Sequence, residues 1–378
     1  MGKKHNPRPW DFLDNYRGKF FEGEWPSLPE MFDITVERWG SRKCFEAFSP
    51  KHILFTYTEA KAQIEKVSAW LYAQGIRKGD RVAVTGKNSP EWALAYMGIL
   101  YMGAIVVPVD YSLTDEEIEH LVDFVEIKGL FVDGERYERI GKDGKYGFKV
   151  SLEEKGHEEQ YILNLPDVGP QPTQKPVADD LAAFLFTSGT TGTPKAVMLT
   201  HKNFVADCYS AQAWMNIYET DVFYAILPIH HAYTMLAVFI EAMSVGADIV
   251  FGKRLVVSQI FKEMREGGVT MFLAVPMLYN KLISSMMKGV KEKGPFVNGL
   301  IHAMMGFSGF FKKVFKINIG KKMFGFLLKK VSLDKNRICI SGGGPLPAST
   351  FKQFNQLGID FVQGYGLTET SPIITLNP

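Results

Sequence analysis

Two periodicities share most of this chain. Short apolar runs bounded by Gly, Pro, Asn or Asp read as buried strands, and longer stretches with apolar residues three or four apart read as helices. Residues 1 to about 30 break both patterns. They are polar and aromatic, with Pro7, Pro9, Pro26 and Pro29, and predict an irregular lead-in that packs on the body through Trp10, Phe12 and Trp25 and runs on to about residue 50. From Phe55 the pattern is regular. Thr58 predicts the cap of a helix to about Ala73, stopped by Gly75. A strand follows over 81–85, then a turn and a helix opened by Pro90, then an apolar strand over 104–109. Thr114 to Glu117 spells a capping box for a helix to about Val125, and 129–133 is another strand.

Residues 134–177 are charged and weakly patterned, and predict a peripheral hairpin and linker. Beyond Asp179, strands are expected at 181–187, 195–200, 222–227, 247–251, 269–274, 336–340 and 360–363. Helices are expected near 202–214, 233–244, 256–266, 277–288 and 347–357. This alternation predicts an α/β fold with largely parallel sheet and helices on both faces. The expected division is a lead-in over 1–50, a first α/β unit over 51–178, and a second over 179–378 with a basic amphipathic insertion at about 290–332.

The residues with distinctive chemistry fall at the carboxyl ends of these strands, where open α/β sheets bind ligands. They are Pro228-Ile229-His230-His231, Val275-Pro276, Ser341-Gly342-Gly343-Gly344-Pro345, Gly364 to Glu369, and the loop Thr187 to Lys195, which reads TSGTTGTPK. That loop offers backbone N–H groups, small residues, hydroxyls and one lysine, a composition that suits phosphate. It is not a Walker A loop, because Ala196 follows the lysine and a strand follows in turn. Taken alone it also fits an ordinary hairpin turn.

A second motif, Gln363 to Thr370 (QGYGLTET), lies far downstream. The pair, in this order, resembles the adenylate-forming superfamily, and most closely its long-chain fatty acid–CoA ligases. The resemblance runs from about Phe55 to the C-terminus. One departure is Ala196, where the family usually has glycine. The resemblance implies two mixed or parallel β-sheets flanked by helices in αβαβα layers, a small barrel-like subdomain, and a separate C-terminal domain. It implies ATP, Mg²⁺ and coenzyme A as cofactor and co-substrates, and a fatty acid as the partner. Thr187, Ser188, Gly189, Thr190, Thr191, Gly192 and Lys195 would hold phosphate. Gly342, Gly343, Gly344, Pro345, Gln363, Gly364, Tyr365, Gly366, Leu367 and Thr368 would line the nucleotide, with Tyr365 on the base. Thr190 and Glu369 would ligate the metal, and His230, His231, Tyr233, Gly342 and Gly364 would flank the acyl group. Lys195, His231, Thr368 and Glu369 are the expected catalytic set.

Each of these residues also has a plain structural use. Glu369 suits a helix N-terminus, the glycines suit a turn, and a histidine after a strand is often a hydrogen-bonded core group. The family's ribose aspartate, hinge arginine and adenylation lysine have no counterpart up to Pro378, so the chain reads as the N-terminal portion of a longer ligase, of low activity alone. An adenylation domain that loads a carrier-protein thiol, and a non-catalytic nucleotide-binding or membrane-associated module, are the alternatives.

Composition adds limits. The net charge of +2 gives no reason to expect nucleic acid. Cys44, Cys208 and Cys339 are too scattered for a metal pattern and suit a reducing, cytoplasmic setting. No segment reads as a secretory signal or a membrane span. From Gly294 to Leu333 there is no acidic residue, while Lys312, Lys313, Lys316, Lys321, Lys322, Lys329 and Lys330 alternate with Phe307, Phe310, Phe311, Val314, Phe315 and Ile317. This predicts either a docked surface helix or a basic amphipathic helix on the inner face of an anionic membrane. A homodimer is a further expectation of the reading.

Overall fold

The computed structural model describes residues 24–170, 172–187 and 194–377. Two sheets organise it. The first runs in the order β6-β5-β3-β4-β7-β8. Its strands are β3 (Arg81–Thr85), β4 (Ile105–Val109), β5 (Gly129–Val132), β6 (Lys149–Ser151), β7 (Leu181–Thr187) and β8 (Lys195–Thr200). The second runs β14-β13-β12-β11-β9-β10-β1-β2. It holds β1 (Lys43–Ala47), β2 (Ile53–Thr56), β9 (Val222–Ala225), β10 (Asp248–Phe251), β11 (Met271–Ala274), β12 (Ile338–Ser341), β13 (Asp360–Gly366) and β14 (Ile373–Leu376). Parallel pairing dominates both, and β8, β2 and β14 add antiparallel edges. Every described strand belongs to one of these sheets, so no separate small barrel forms among the described residues.

The helix Pro90–Tyr101 is buried on every side through Leu100. A helix apolar all round belongs inside a protein, and this one packs with Tyr57–Ala73 between the layers. Trp92, Tyr96 and Phe239 interlock there, with ring centroids 5.2 to 6.0 Å apart.

Several expectations are corrected. The lead-in is regular from Leu28 onward, where the helix Leu28–Trp39 is followed by β1. Ser27 caps that helix, and its prolines flank or open the first turn rather than breaking it. The Trp10 and Phe12 packing contacts lie outside the described residues. The cap of the Tyr57–Ala73 helix is Thr56, not Thr58, because Glu59 stands three residues on and closes the box reciprocally. The 134–177 stretch is no hairpin, since β6 joins β5 in parallel. The division at 178/179 does not follow the sheets: β7 and β8 complete the first, and β1 and β2 extend the second. The basic stretch is two helices, Pro295–Phe315 and Gly320–Lys330, separated near Lys316, which adopts φ 58°.

Candidate active site

The carboxyl ends of the two sheets meet at a seam, and Asn88 and Asp110 stitch it. Asn88, just past β3 of the first sheet, is buried. Its amide donates to the carbonyls of Ala225 and Leu227, both at 2.8 Å, and its Oδ1 accepts from the Ile229 N–H at 3.0 Å. Those three residues lie at the end of β9 and in the turn after it that leads into His230 and His231. Asp110 follows β4 and faces His230, with Oδ1 3.5 Å from Nε2. The His230 imidazole, helped by the Ser112 N–H, holds the Asp110 carboxyl well below the usual carboxylate range. Asp110, His230 and His231 present their ligand atoms within 4.8 Å of one another.

His231 opens the helical segment 232–245, which includes a wide π turn at Met235–Ile240. His231 is exposed at the cleft, yet partial desolvation there, and then the neighbouring His230, push its imidazole down to about 4. It is therefore neutral near pH 7, able to donate one hydrogen bond and accept another but not to serve as a cation.

Three contiguous hollows surround these residues. One, of about 540 Å³, is lined by Asp110, Thr187, Pro194, His230, His231 and Thr368. A second, of about 200 Å³, is lined by His231, Tyr233, Gly342, Gly343, Gly364 and Thr368. A third, open groove of about 830 Å³ is shared by Gly344, Pro345, Gln363 and Tyr365. Gly342 is demanded by its neighbour: a Cβ there would sit 2.8 Å from the Tyr233 ring, whose hydroxyl donates to the Ile340 carbonyl at 3.2 Å. At Gly366 a Cβ would collide with the Pro372 carbonyl, so this sharp pass allows only glycine. Tyr365 projects between the two hollows, 62% exposed, with its ring free to take a planar partner. Thr368–Thr370 form a single tight turn, closed by Leu367 N–H donating to Thr370 Oγ1 at 3.0 Å.

The expected residues thus fall into groups. Thr187, His231 and Thr368 come together, as do Tyr233, Gly342, Gly343 and Gly364 to Leu367. Lys195 is exposed at the start of β8, paired across from Thr187. Glu369 is exposed beside Thr368. Ser188, Gly189, Thr190, Thr191 and Gly192 lie outside the described residues. His230 faces inward to Asp110 as well as lining the cleft. Sequence reasoning missed Asn88 and Asp110. Only the Lys87-Asn88-Ser89-Pro90 turn hinted at the first.

A seam of strand ends carrying a glycine-rich wall, an exposed tyrosine and a Thr-Glu turn defines an open cleft. The chain belongs to the AMP-binding enzyme family, whose model matches residues 32–378. It is 24% identical over 393 residues to a long-chain-fatty-acid–CoA ligase of Bacillus subtilis, covering 93% of this chain and 61% of that protein. It is 23% identical over 415 residues to the chloroplastic long-chain-fatty-acid–[acyl-carrier-protein] ligase AEE15 of Arabidopsis thaliana, covering 93% and 56%. The fold matches the N-terminal domain of FACL13 from Mycobacterium tuberculosis with a TM-score of 0.71 at 20% identity, over 93% of this chain and 79% of that one. The chain spans less than two thirds of the length of these two curated relatives.

Proposed function

We propose that this chain is the nucleotide- and acyl-binding part of an ATP-dependent acid–thiol ligase that acts on a fatty acid. The carboxylate attacks the α-phosphorus of ATP, the bond to the β-phosphate oxygen breaks, and pyrophosphate leaves with that electron pair. The acyl-adenylate then meets the thiolate of coenzyme A, and AMP departs as the thioester forms. The observation that carries this reading is the convergence of Thr187, His231 and Thr368, from three distant stretches, on one cavity. Neutral His231 orients the carboxylate, Thr368 donates to phosphate, and Tyr365 covers the base. Lys195 and the 188–193 loop take the charge of the outer phosphates. Glu369 is an exposed oxygen ligand beside Thr368, which suits Mg²⁺; when bound, the ion would offset the charge of the triphosphate.

Calorimetric titration with ATP and Mg²⁺, and with an acyl-sulfamoyl-adenosine, tests this. Binding of the analogue is expected to fall at least about tenfold in Thr368→Ala, and binding of ATP with Mg²⁺ to fall likewise in Glu369→Gln. Unchanged binding in both variants would overturn the assignment. The relatedness to a carrier-protein ligase supports a second reading for the acceptor. Offering both thiols to the complete enzyme separates the two.

The same reading extends to a membrane surface. Phe296, Phe307, Phe310, Val314, Phe315 and Phe326, on two helices free of acidic residues, and Ile317 in the link between them, are each more than half exposed. No helix among the described residues is long and apolar enough to cross a membrane. Lys312 is held by Asp360 and Asn355, whereas Lys313 and Lys316 are exposed; sedimentation with vesicles rich in anionic lipid, weakened by Lys313 and Lys316 to Glu, is expected. Equal sedimentation of the variant would remove this role.

A further inference from the structure

Asp110, His230 and His231 form a cluster that the proposed reaction uses only in part. They come from the two sides of the seam, Asp110 after β4 of the first sheet and the histidines after β9 of the second. Their ligand atoms lie within 4.8 Å of one another. His230 is buried, and its Nε2 has no hydrogen-bond partner among the described residues. It faces Asp110 Oδ1 across 3.5 Å, beyond the roughly 2.7–3.2 Å of a good N–H···O bond. That separation is instead the edge of a metal tetrahedron: N and O ligands about 2.0–2.2 Å from a zinc ion stand about 3.3–3.6 Å apart. The Ser112 N–H donates to the same Oδ1 at 2.7 Å and fixes the carboxylate, as outer partners of metal ligands do. All three residues line the 540 Å³ cavity. Asp110, 28% exposed, and the exposed His231 are its accessible members, and an ion held between them is within reach of the His230 Nε2. The His231 ring centroid lies 4.1 Å from that of His230, and rotation of this exposed side chain closes the remaining edges.

We infer that Asp110, His230 and His231 form a binding site for a divalent transition cation, zinc above all, separate from any Mg²⁺ at Glu369. Two imidazole nitrogens and one carboxylate oxygen suit zinc, whereas Mg²⁺ takes an octahedron of oxygens. Three protein ligands leave a fourth position open, and here it opens on the cavity that Thr187 and Thr368 also line. Because His231 is the group proposed to orient the acid, zinc and the acyl-adenylate exclude each other, and the site acts as a zinc-sensitive brake. This consequence, unlike the site itself, rests on the adenylate reading above.

The test is calorimetric titration of the metal-free chain with zinc chloride, and with cobalt(II) chloride followed by visible absorption. A single zinc per chain is expected, as are the intense bands of tetrahedral cobalt. Asp110→Asn keeps the shape of the side chain, and His231→Gln alters an exposed group, so both variants should fold. Each should weaken zinc binding at least about tenfold. His120→Gln, at a second histidine lining the cavity, should leave zinc binding unchanged. No saturable zinc binding, binding that survives both Asp110→Asn and His231→Gln, or binding lost in His120→Gln instead would overturn the site. None of these readouts needs a nucleotide, so they stand apart from the adenylate reading. Saturating zinc should also weaken binding of the acyl-sulfamoyl-adenosine at least about tenfold. Undiminished binding to the zinc-loaded chain would overturn the exclusion, and failure of the analogue to bind the metal-free chain would overturn the adenylate reading instead.

Discussion

At the scale of single residues, the site depends on a few buried polar groups that pair across the seam. Asn88 satisfies two carbonyls and one N–H of the turn before His230. Asn88→Ala strands those groups in the interior, and urea denaturation should register a loss of about 1–3 kcal/mol. His201 is a second case. It is fully buried, its Nδ1 accepts from the Leu28 N–H at 3.2 Å, and burial pushes it down to about 4. The folded protein keeps this imidazole neutral while the unfolded chain protonates it below its ordinary value, so stability is lost as pH falls from about 6.5 towards about 4. The carboxyls of Asp207 and Glu241, pushed up to about 7 and about 8 by burial, act in the opposite sense. They stay protonated in the folded state, so their cost grows as pH rises from about 4 towards those values. The difference between wild type and His201→Asn isolates the histidine: the stability advantage of wild type should shrink steadily below about pH 6.5 in melting experiments.

At the scale of elements, most of the strands and helices were legible because period and punctuation agree. β3, β7 and β8 fall where the apolar runs lie, and the Pro90 and Thr114 helices open at their signals. Two of the misreadings share a cause, local chemistry with two uses. Pro26 and Pro29 serve a helix start as readily as a loop, and of two threonines only the one with Glu at the third position caps. The glycine-rich wall was legible as flat surface, but its reason is tertiary: Gly342 yields space to the Tyr233 ring. Gly342→Ala must displace that ring, and titration should show adenylate-analogue affinity falling about tenfold while stability changes by about 1–3 kcal/mol. Gly366→Ala presses on backbone and cannot be relieved by a side-chain movement, so it should cost more in both readouts. Asp110 was invisible at this level, because it acquires its chemistry only from a neighbour more than a hundred residues away.

At the scale of the whole molecule, the sheets exchange strands along the chain. Phe45 pairs with Ile249, while β7 and β8 return to complete a sheet begun at β3. Neither the stretch before residue 171 nor the stretch after it owns a finished sheet. Such long-range pairing makes assembly slow, since distant segments must meet before either is rewarded. It also makes the molecule a natural split pair. Two fragments divided in the strand-free stretch after Leu165 should each be insoluble when produced alone, and should reconstitute a soluble complex when produced together. Reassembly would then report, in a living cell, on whether the seam and its cleft have closed.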